Sequence, residues 1–303
     1  LTSNTTGNYN TALGYQALFT QTSGGSNNVA VGRYSQYYCS TGTQNTTLGS
    51  GSLTNNSSGN NNTALGFEAL NDSTTGDDNT GVGAYALDTN TTGSQNTACG
   101  YHALGDNTTT SQNTAVGYEA LGSNTANYNT AVGLQALDTC TTGANNTAVG
   151  FYAAYNLTTG TKNTALGQSA LEGCTDGTQN VAIGYEAGTG LTTGVQNVII
   201  GGNAGDALTD ADFNVAIGLG ALTTDTKGNK SVALGDGTLA TQNFTSLTDT
   251  FNTAVGYETG KALTTGDNNI AIGYRALYTE DTGNRSVAIG DFALTVQNND
   301  DSN

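Results

Sequence analysis

The sequence predicts an all-β fold, a parallel β-solenoid whose chain winds through seventeen stacked coils of about 17 residues. This prediction depends on a five-residue pattern, Asn-Thr-Ala-Leu/Val-Gly, that recurs from residues 10–14 to residues 286–290. The interval between the glycines that end the pattern is 17 residues in thirteen of sixteen cases, with single exceptions of 18, 16 and 21. Because so short a unit buries no face on its own, neighbouring units must stack. Residues 1–303 are thus predicted to form one continuous array.

Each coil is numbered here from the glycine that ends the pattern, which is position 0. The recurrence of glycine at this position predicts a bend that every coil needs, where other residues do not fit. Representative members of this glycine column are Gly66, Gly83, Gly100, Gly117, Gly150, Gly167 and Gly184.

The residues before this glycine alternate as a β-strand does. Position −3 is always Thr, Val or Ile, and position −1 is Leu, Val or Ile except at Cys99. Because successive side chains of a strand point to opposite faces, positions −3 and −1 share one face, and positions −4, −2 and 0 share the other. The Ala and Gly columns of the second face predict a flat strip along the rod that a partner chain can approach closely. Residues +1 to +4 predict a second short strand, and residues −10 to −5 predict a return turn.

Position −4 is Asn in fifteen coils and Ser in two, Ser231 and Ser286. Identical Asn side chains at strand spacing predict a ladder of amide hydrogen bonds along the rod, a structural role and not a ligand site. Representative members are Asn45, Asn62, Asn79, Asn96, Asn113, Asn146, Asn163 and Asn180.

The coil interior is predicted from a compensation between two positions. Position +4 is Leu in twelve coils, and four of the five exceptions carry Leu at position +7 instead. An apolar side chain supplied from either position indicates one interior site that each coil must fill, since a void costs packing energy. The leucines at position +7 are Leu157, Leu191, Leu208 and Leu263.

Composition and charge argue against most enzyme classes and against several partners. The chain carries 24 acidic and 7 basic residues, one His and a net charge of −17. Such a chain repels nucleic acid and anionic membranes, so neither is expected as a partner. The single His102, predicted to lie at the surface at position +2, has no second His for a zinc or catalytic site. We therefore expect no catalytic residue, no cofactor and no metal site.

The four cysteines are interpreted as small apolar fillers. Cys99 replaces an aliphatic residue at position −1, and Cys39, Cys140 and Cys174 lie at position +7 of three different coils. A disulfide between chains close to a symmetry axis is the alternative.

An aromatic column occupies position +1. Such a column stacks sugars in adhesive fibres, and it equally stabilises a sheet by stacking between coils without any ligand. Its members are Tyr15, Phe67, Tyr101, Tyr118, Phe151, Tyr185, Tyr257 and Tyr274.

Two forms of the repeat resemble known families. The form Asn/Ser-Val-Ala-Ile-Gly, at residues 180–184, 214–218 and 286–290, resembles the head repeat of trimeric autotransporter adhesins. The longer form around residues 59–70 is similar to repeats of phage-type tail fibres and large extracellular fibre proteins. The resemblance implies a left-handed β-roll, a homotrimer and exposure outside the cell, on a cell surface or on a virion. The 17-residue coil is longer than the coil of those adhesin heads.

These features predict a non-enzymatic structural fibre or shaft whose main partner is itself, as a homotrimer or an end-to-end filament. Leu1 falls at position +4 of a preceding repeat and Asn303 at position −4 of a following one, so we expect a segment of a longer filament. The alternative is an adhesin head whose solenoid surface binds host glycan or matrix. A lesser alternative is an ice-binding solenoid, suggested by the Thr column at position −3.

Overall fold

A computed structural model describes residues 4, 6–21 and 24–296. The described chain is an all-β parallel β-solenoid, and no helix occurs in that part of it. It divides into two compact units, Leu1–Asn145 and Asn146–Asn303, each described below by itself. Leu1 and Asn303, on which the expectation of a longer filament depends, lie outside the described residues.

The first unit stacks one short strand per coil. Each strand pairs in parallel with the same positions of the next coil, so that Thr63 pairs with Thr80 and Leu65 with Val82. The register therefore follows the sequence repeat without a shift. The strands in the described part of this unit are β1 (Thr11–Leu13), β2 (Val29–Val31), β3 (Thr46–Leu48), β4 (Thr63–Leu65), β5 (Thr80–Val82), β6 (Thr97–Cys99), β7 (Thr114–Val116) and β8 (Thr130–Val132).

The second unit repeats this arrangement and adds a small second sheet. Two-residue strands β14 and β16 pair in parallel beside the 21-residue interval, where the longer coil supplies extra residues. The other strands form one parallel sheet. The described strands are β9 (Thr147–Val149), β10 (Thr164–Leu166), β11 (Val181–Ile183), β12 (Val198–Ile200), β13 (Val215–Ile217), β14 (Gly228–Asn229), β15 (Val232–Leu234), β16 (Thr248–Asp249), β17 (Thr253–Val255), β18 (Ile270–Ile272) and β19 (Val287–Ile289).

The face that was expected to form an outer small-residue strip points inward instead. Ala64 at position −2 is fully buried, whereas Leu48 at position −1 is 55% exposed. A Cβ atom at Gly81, another −2 position, would lie 3.4 Å from Cγ of Leu70 and 3.1 Å from the carbonyl oxygen of Ala86. Because the +4 leucine fills the space beside the strand, only a small side chain fits inside, and the larger −3 and −1 side chains face outward.

The expected second strand at positions +1 to +4 is wrong, because this segment is a turn. Glu68 at position +2 and Leu70 at position +4 both have left-handed backbones, with φ of 53° and 54°. Their N–H groups point in opposite directions along the stack. That of Glu68 donates to the carbonyl of Ser50, one coil back, and that of Leu70 donates to the carbonyl of Ala86, one coil forward. The turn thus joins the coils by backbone hydrogen bonds without an extended strand.

The single interior site filled from two positions is confirmed. Leu70 at position +4 and Leu208 at position +7 are both fully buried. A Cβ atom at Gly205, the +4 position that precedes Leu208, would lie 2.9 Å from Cδ1 of that leucine. The space that a +4 leucine would need is therefore taken by the +7 leucine. Ile199, the larger residue at position −2, contributes to the same site, 2.9 Å from a Cβ atom placed at Gly188.

Candidate functional site

The glycine column is a steric requirement of coil stacking. Gly150 has a φ of +142°, a conformation that L side chains rarely adopt, and a Cβ atom there would lie 2.4 Å from the carbonyl oxygen of Gly167 in the next coil. The other predicted members, from Gly66 to Gly184, have φ between +134° and +145° and meet the following glycine in the same way. A side chain at any of these positions would therefore collide with the backbone of the next coil.

The Asn ladder exists, but its main partner is the backbone and not the next amide. Asn62 Oδ1 accepts the backbone N–H of Asn79 at 2.9 Å, and Asn62 Nδ2 donates to the carbonyl of Gly76 at 2.8 Å. Direct amide contacts are longer, as between Asn96 Nδ2 and Asn79 Oδ1 at 3.2 Å. Asn62 therefore satisfies one N–H and one carbonyl of the following coil, and Asn45, Asn79, Asn96, Asn163 and Asn180 do the same. All eight predicted members, Asn45, Asn62, Asn79, Asn96, Asn113, Asn146, Asn163 and Asn180, are buried.

Sequence reasoning missed two fully buried acidic side chains, Asp225 and Glu280, each six residues before one of the two Ser residues that interrupt this column. Gln242 Nε2 donates to Asp225 Oδ2 at 2.5 Å and to Ser231 Oγ at 2.8 Å. In the second case Glu280 Oε1 accepts the N–H of Gly283 at 2.8 Å, and neither Glu280 Oε2 nor Ser286 Oγ has a hydrogen-bond partner among the described residues. The signal was in the sequence, because the two Ser departures fall in coils whose +7 residue is acidic. These acids are fully buried and act as caps of interior turns.

All eight residues of the aromatic column are on the outer surface, between 39% and 65% exposed. Two pairs stack between adjacent coils with nearly parallel rings, Tyr101 on Tyr118 at 5.2 Å and Tyr257 on Tyr274 at 5.7 Å. The others do not form one continuous line. Phe67, Tyr15 and Phe151 instead contact tyrosines at position +2, namely Tyr85, Tyr34 and Tyr152 in that order.

The outward face of the main sheet is free of charge in both units. Positions −3 and −1 hold only Thr, Val, Ile, Leu and Cys99 in every coil. Many of these side chains are well exposed, for example Leu166 and Ile272, with Ile289 reaching 65%. A flat row of aliphatic side chains at strand spacing is the kind of surface that protein contacts cover.

The ionisable groups form a few surface pairs in the second unit. Glu258 accepts from Lys261 at 2.5 Å and from Arg275 at 2.7 Å, and these bonds hold the pKa of its carboxyl below the ordinary value. In the described part of the chain, no three His, Cys, Asp or Glu side chains come together to hold a metal ion. His102 is partly buried beside Tyr101.

The cysteines separate into two kinds. Cys39, Cys140 and Cys174 are buried, and Cys140 Sγ donates to the carbonyl of Gly143 at 3.2 Å. Burial raises the pKa of the Cys140 and Cys174 thiols to about 12. Their interpretation as interior fillers is confirmed. For Cys99 the interpretation as a filler is wrong, because its side chain is exposed on the outward face of the sheet.

Comparison with models of protein families, with curated proteins and with solved structures found no match. Within the part of the chain that the structure describes, no helix is long and apolar enough to span a membrane.

Proposed function

We propose that this chain is a non-enzymatic structural fibre, a segment of a shaft exposed on a cell or virion surface. The observation that carries the proposal is the Asn contact between coils. Because Asn62 satisfies a backbone N–H of the next coil and Asn79 does the same one coil later, each coil is a template for its successor. A stack built in this way extends by repetition and needs no cavity or reactive group.

The finer features of the proposal are a left-handed β-roll of seventeen coils and a homotrimer. The Ala column is buried and cannot contact a partner chain, so the homotrimer depends instead on the outward face formed by positions −3 and −1. That face is uncharged, with a row of aliphatic side chains at position −1 beside Thr, Val or Ile at position −3, and covering it removes apolar surface from water. The net charge of −17 argues against nucleic acid or an anionic membrane as a partner.

Sedimentation velocity of the wild-type chain and of a Leu166→Lys/Ile272→Lys variant tests self-association. We expect a trimer for the wild type and a monomer for the variant. Burying two unpaired lysine charges in the contact costs more free energy than the apolar contact contributes to association. Gln168→Lys, on an exposed turn of the same coil as Leu166, is the matched control and keeps the trimer. A wild-type monomer at high protein concentration, with no elongated particles by electron microscopy, would contradict the proposal.

The exposed thiol of Cys99 provides an independent test at the corresponding positions of the first unit. In the trimer we expect maleimide to label Cys99 slowly, and in the Leu166→Lys/Ile272→Lys variant we expect fast labelling. Equal labelling rates in both proteins would place the contact elsewhere.

The second candidate is an adhesin whose aromatic column binds host glycan or matrix. The stacked, half-exposed pair Tyr101 and Tyr118 favours it, because an open ring face is what a sugar stacks on. A glycan array tests it, with binding lost in Tyr101→Ala/Tyr118→Ala. Ice binding stays a prediction of the Thr column, and a measurement of thermal hysteresis tests that.

A further inference from the structure

A cleft opens in the first unit where one coil has no large side chain in either outer column. Coil 3 has Ser50 and Gly51 at positions +1 and +2. The coil before it carries Arg33 and Tyr34 at these positions, and the coil after it carries Phe67 and Glu68. The gap between the two flanking coils is a cleft of about 430 Å³, lined by these residues together with Gln16, Tyr37, Tyr38 and Asn71.

The aromatic wall of the cleft is held rigidly by its own ring contacts. Tyr37 stacks on Phe19 with ring centres 5.3 Å apart and an interplanar angle of 5°. Its other contacts are edge-to-face, with Tyr34 at 5.6 Å and with Tyr38 at 4.4 Å. Tyr38 remains 54% exposed. A fixed wall with an open ring loses little conformational freedom when a ligand stacks on it.

The polar groups of the cleft point to a ligand rich in hydroxyls. Arg33 is the only Lys or Arg in the first 161 residues, and its guanidinium lies 4.8 Å from the centre of the Tyr34 ring. No described residue forms an ion pair with Arg33, and none forms a side-chain hydrogen bond with Gln16, Arg33 or Glu68. Their donors and acceptors thus stay available to a bound molecule.

We propose that this cleft binds a neutral pyranose unit of an oligosaccharide. The apolar C–H face of the sugar would stack on Tyr38, and its hydroxyls would bond to Arg33, Gln16 and Glu68. The lining carries one positive charge, on Arg33, and one negative charge, on Glu68, so it favours a neutral ligand, and the net charge of −17 repels acidic glycans. The volume of the cleft lies within the range of small-molecule sites. The inference goes beyond the proposed fibre and does not depend on it.

Gly51→Gln tests the proposal by refilling the gap. Gly51 has a φ of +72°, and Gln16 and Gln135 at the same position of other coils adopt φ of 56° and 52°, so the backbone accepts the change. The new Cβ would lie 3.0 Å from Cγ of Glu68, inside the cleft. Calorimetric titration with neutral disaccharides of glucose, galactose, mannose or N-acetylglucosamine is the measurement. We expect one of them to bind the wild type, and the affinity to fall at least about tenfold in Gly51→Gln and in Tyr38→Ala.

The matched control is Tyr128→Ala, which removes an exposed ring outside both the cleft and the aromatic column and should leave the affinity unchanged. Loss of binding in Tyr101→Ala/Tyr118→Ala, with full binding in Gly51→Gln, would place the sugar on the aromatic column and overturn the cleft. Binding of sialylated or uronic-acid sugars alone would overturn the neutral ligand, and no binding by the folded wild type would overturn the site. Self-association is measured separately by sedimentation, so failure of the cleft and failure of the fibre are distinguishable.

Discussion

The side-chain oxygen Oδ1 of Asn163 accepts the backbone N–H of Asn180, one coil later, at 3.0 Å. Asn163 Nδ2 donates in turn to the carbonyl of Gly177 at 2.7 Å. The side chain is 2% exposed, so no bulk water replaces either bond if it is lost. One amide side chain thereby forms hydrogen bonds with two backbone groups of the next coil, which explains why Asn recurs at this position.

Asn163→Ala should lower the free energy of unfolding by about 2–4 kcal/mol, because it leaves a buried N–H and a buried carbonyl without partners. Chemical denaturation followed by circular dichroism measures the change. Gln168→Ala, at an exposed site of the same coil, should change it by less than about 0.5 kcal/mol. Equal stability of the two variants would show that the Asn contact does not hold the coils together.

Gly150→Val should lower the free energy of unfolding by about 3 kcal/mol or more, since backbone strain and a close contact with the Gly167 carbonyl add together. Hydrogen exchange should rise first in the coils that flank the substitution. Gly220→Asn is the control, because Gly220 has a φ of +59° with open space around it and Asn tolerates that conformation. A Gly150→Val variant as stable as the wild type would contradict the steric explanation of the glycine column.

The two sources of the interior side chain should be exchangeable within one coil. Leu157→Asn alone should cost about 3 kcal/mol through the cavity it leaves, and Ala154→Leu alone about 1–3 kcal/mol through overpacking. The combined variant should recover at least half of the summed loss, because leucine then fills the site from position +4. The new amide should bond to Gly160 as Asn56 bonds to the N–H of Gly59 at 2.7 Å. Additive losses in this double-mutant cycle would mean that the two positions fill separate sites.

The buried thiols should make the protein less stable in alkaline solution. Burial raises the pKa of the Cys39 thiol to about 11 and of the Cys140 and Cys174 thiols to about 12, whereas a thiol in the unfolded chain has a pKa of about 8.5. Their contribution is complete below that value and is lost as the pH rises toward 12, because the unfolded chain releases protons that the folded chain keeps. A Cys140→Ala/Cys174→Ala variant should show a smaller loss of thermal midpoint between pH 8 and pH 11. An identical pH dependence in both proteins would contradict the burial of these thiols.

Asp88 should destabilise the first unit at neutral pH. Burial, followed by the nearby carboxylates of Asp72 and Glu68, raises its pKa to about 6. The folded state therefore binds the proton more tightly than the unfolded state, so stability is greatest below about pH 4 and falls as the pH rises through about 6. Asp88→Asn should raise the thermal midpoint at pH 7.5 and leave it unchanged at pH 4. Asp106→Asn, at an exposed position, is the control. An equal rise of the thermal midpoint in both variants would mean that the lower net charge, and not the burial of Asp88, causes the effect.

Several features of the fold follow from local sequence alone. The 17-residue period determines the register, because Thr63 can pair with Thr80 only if every coil has the same path. The glycine at position 0 and the interior leucines were predicted correctly, since backbone sterics and cavity costs act within one coil or between adjacent coils. Which face of each strand points inward was not predicted correctly, because a face of alanines and a face of larger aliphatic residues are both compatible with a core.

The sequence also did not predict the left-handed backbone conformation at positions +2 and +4. Leucine disfavours the left-handed region by about 1–2 kcal/mol, yet Leu70 adopts it with a φ of 54°. Burial of its side chain and its hydrogen bond to Ala86 in the next coil offset that cost. Local propensity therefore predicted a strand where tertiary contacts impose a turn.

The sequence by itself determined the period, the solenoid class, the structural roles of Gly150 and Asn163, and the outward position of the aromatic column. Only the tertiary structure decided which face of each strand is buried, because leucines such as Leu70 fill the narrow interior and leave room for only a small residue, usually alanine, beside them. The cleft at Gly51 was likewise a tertiary result. Its walls come from residues 17 positions before and after the gap, and stacking brings them to opposite sides of it.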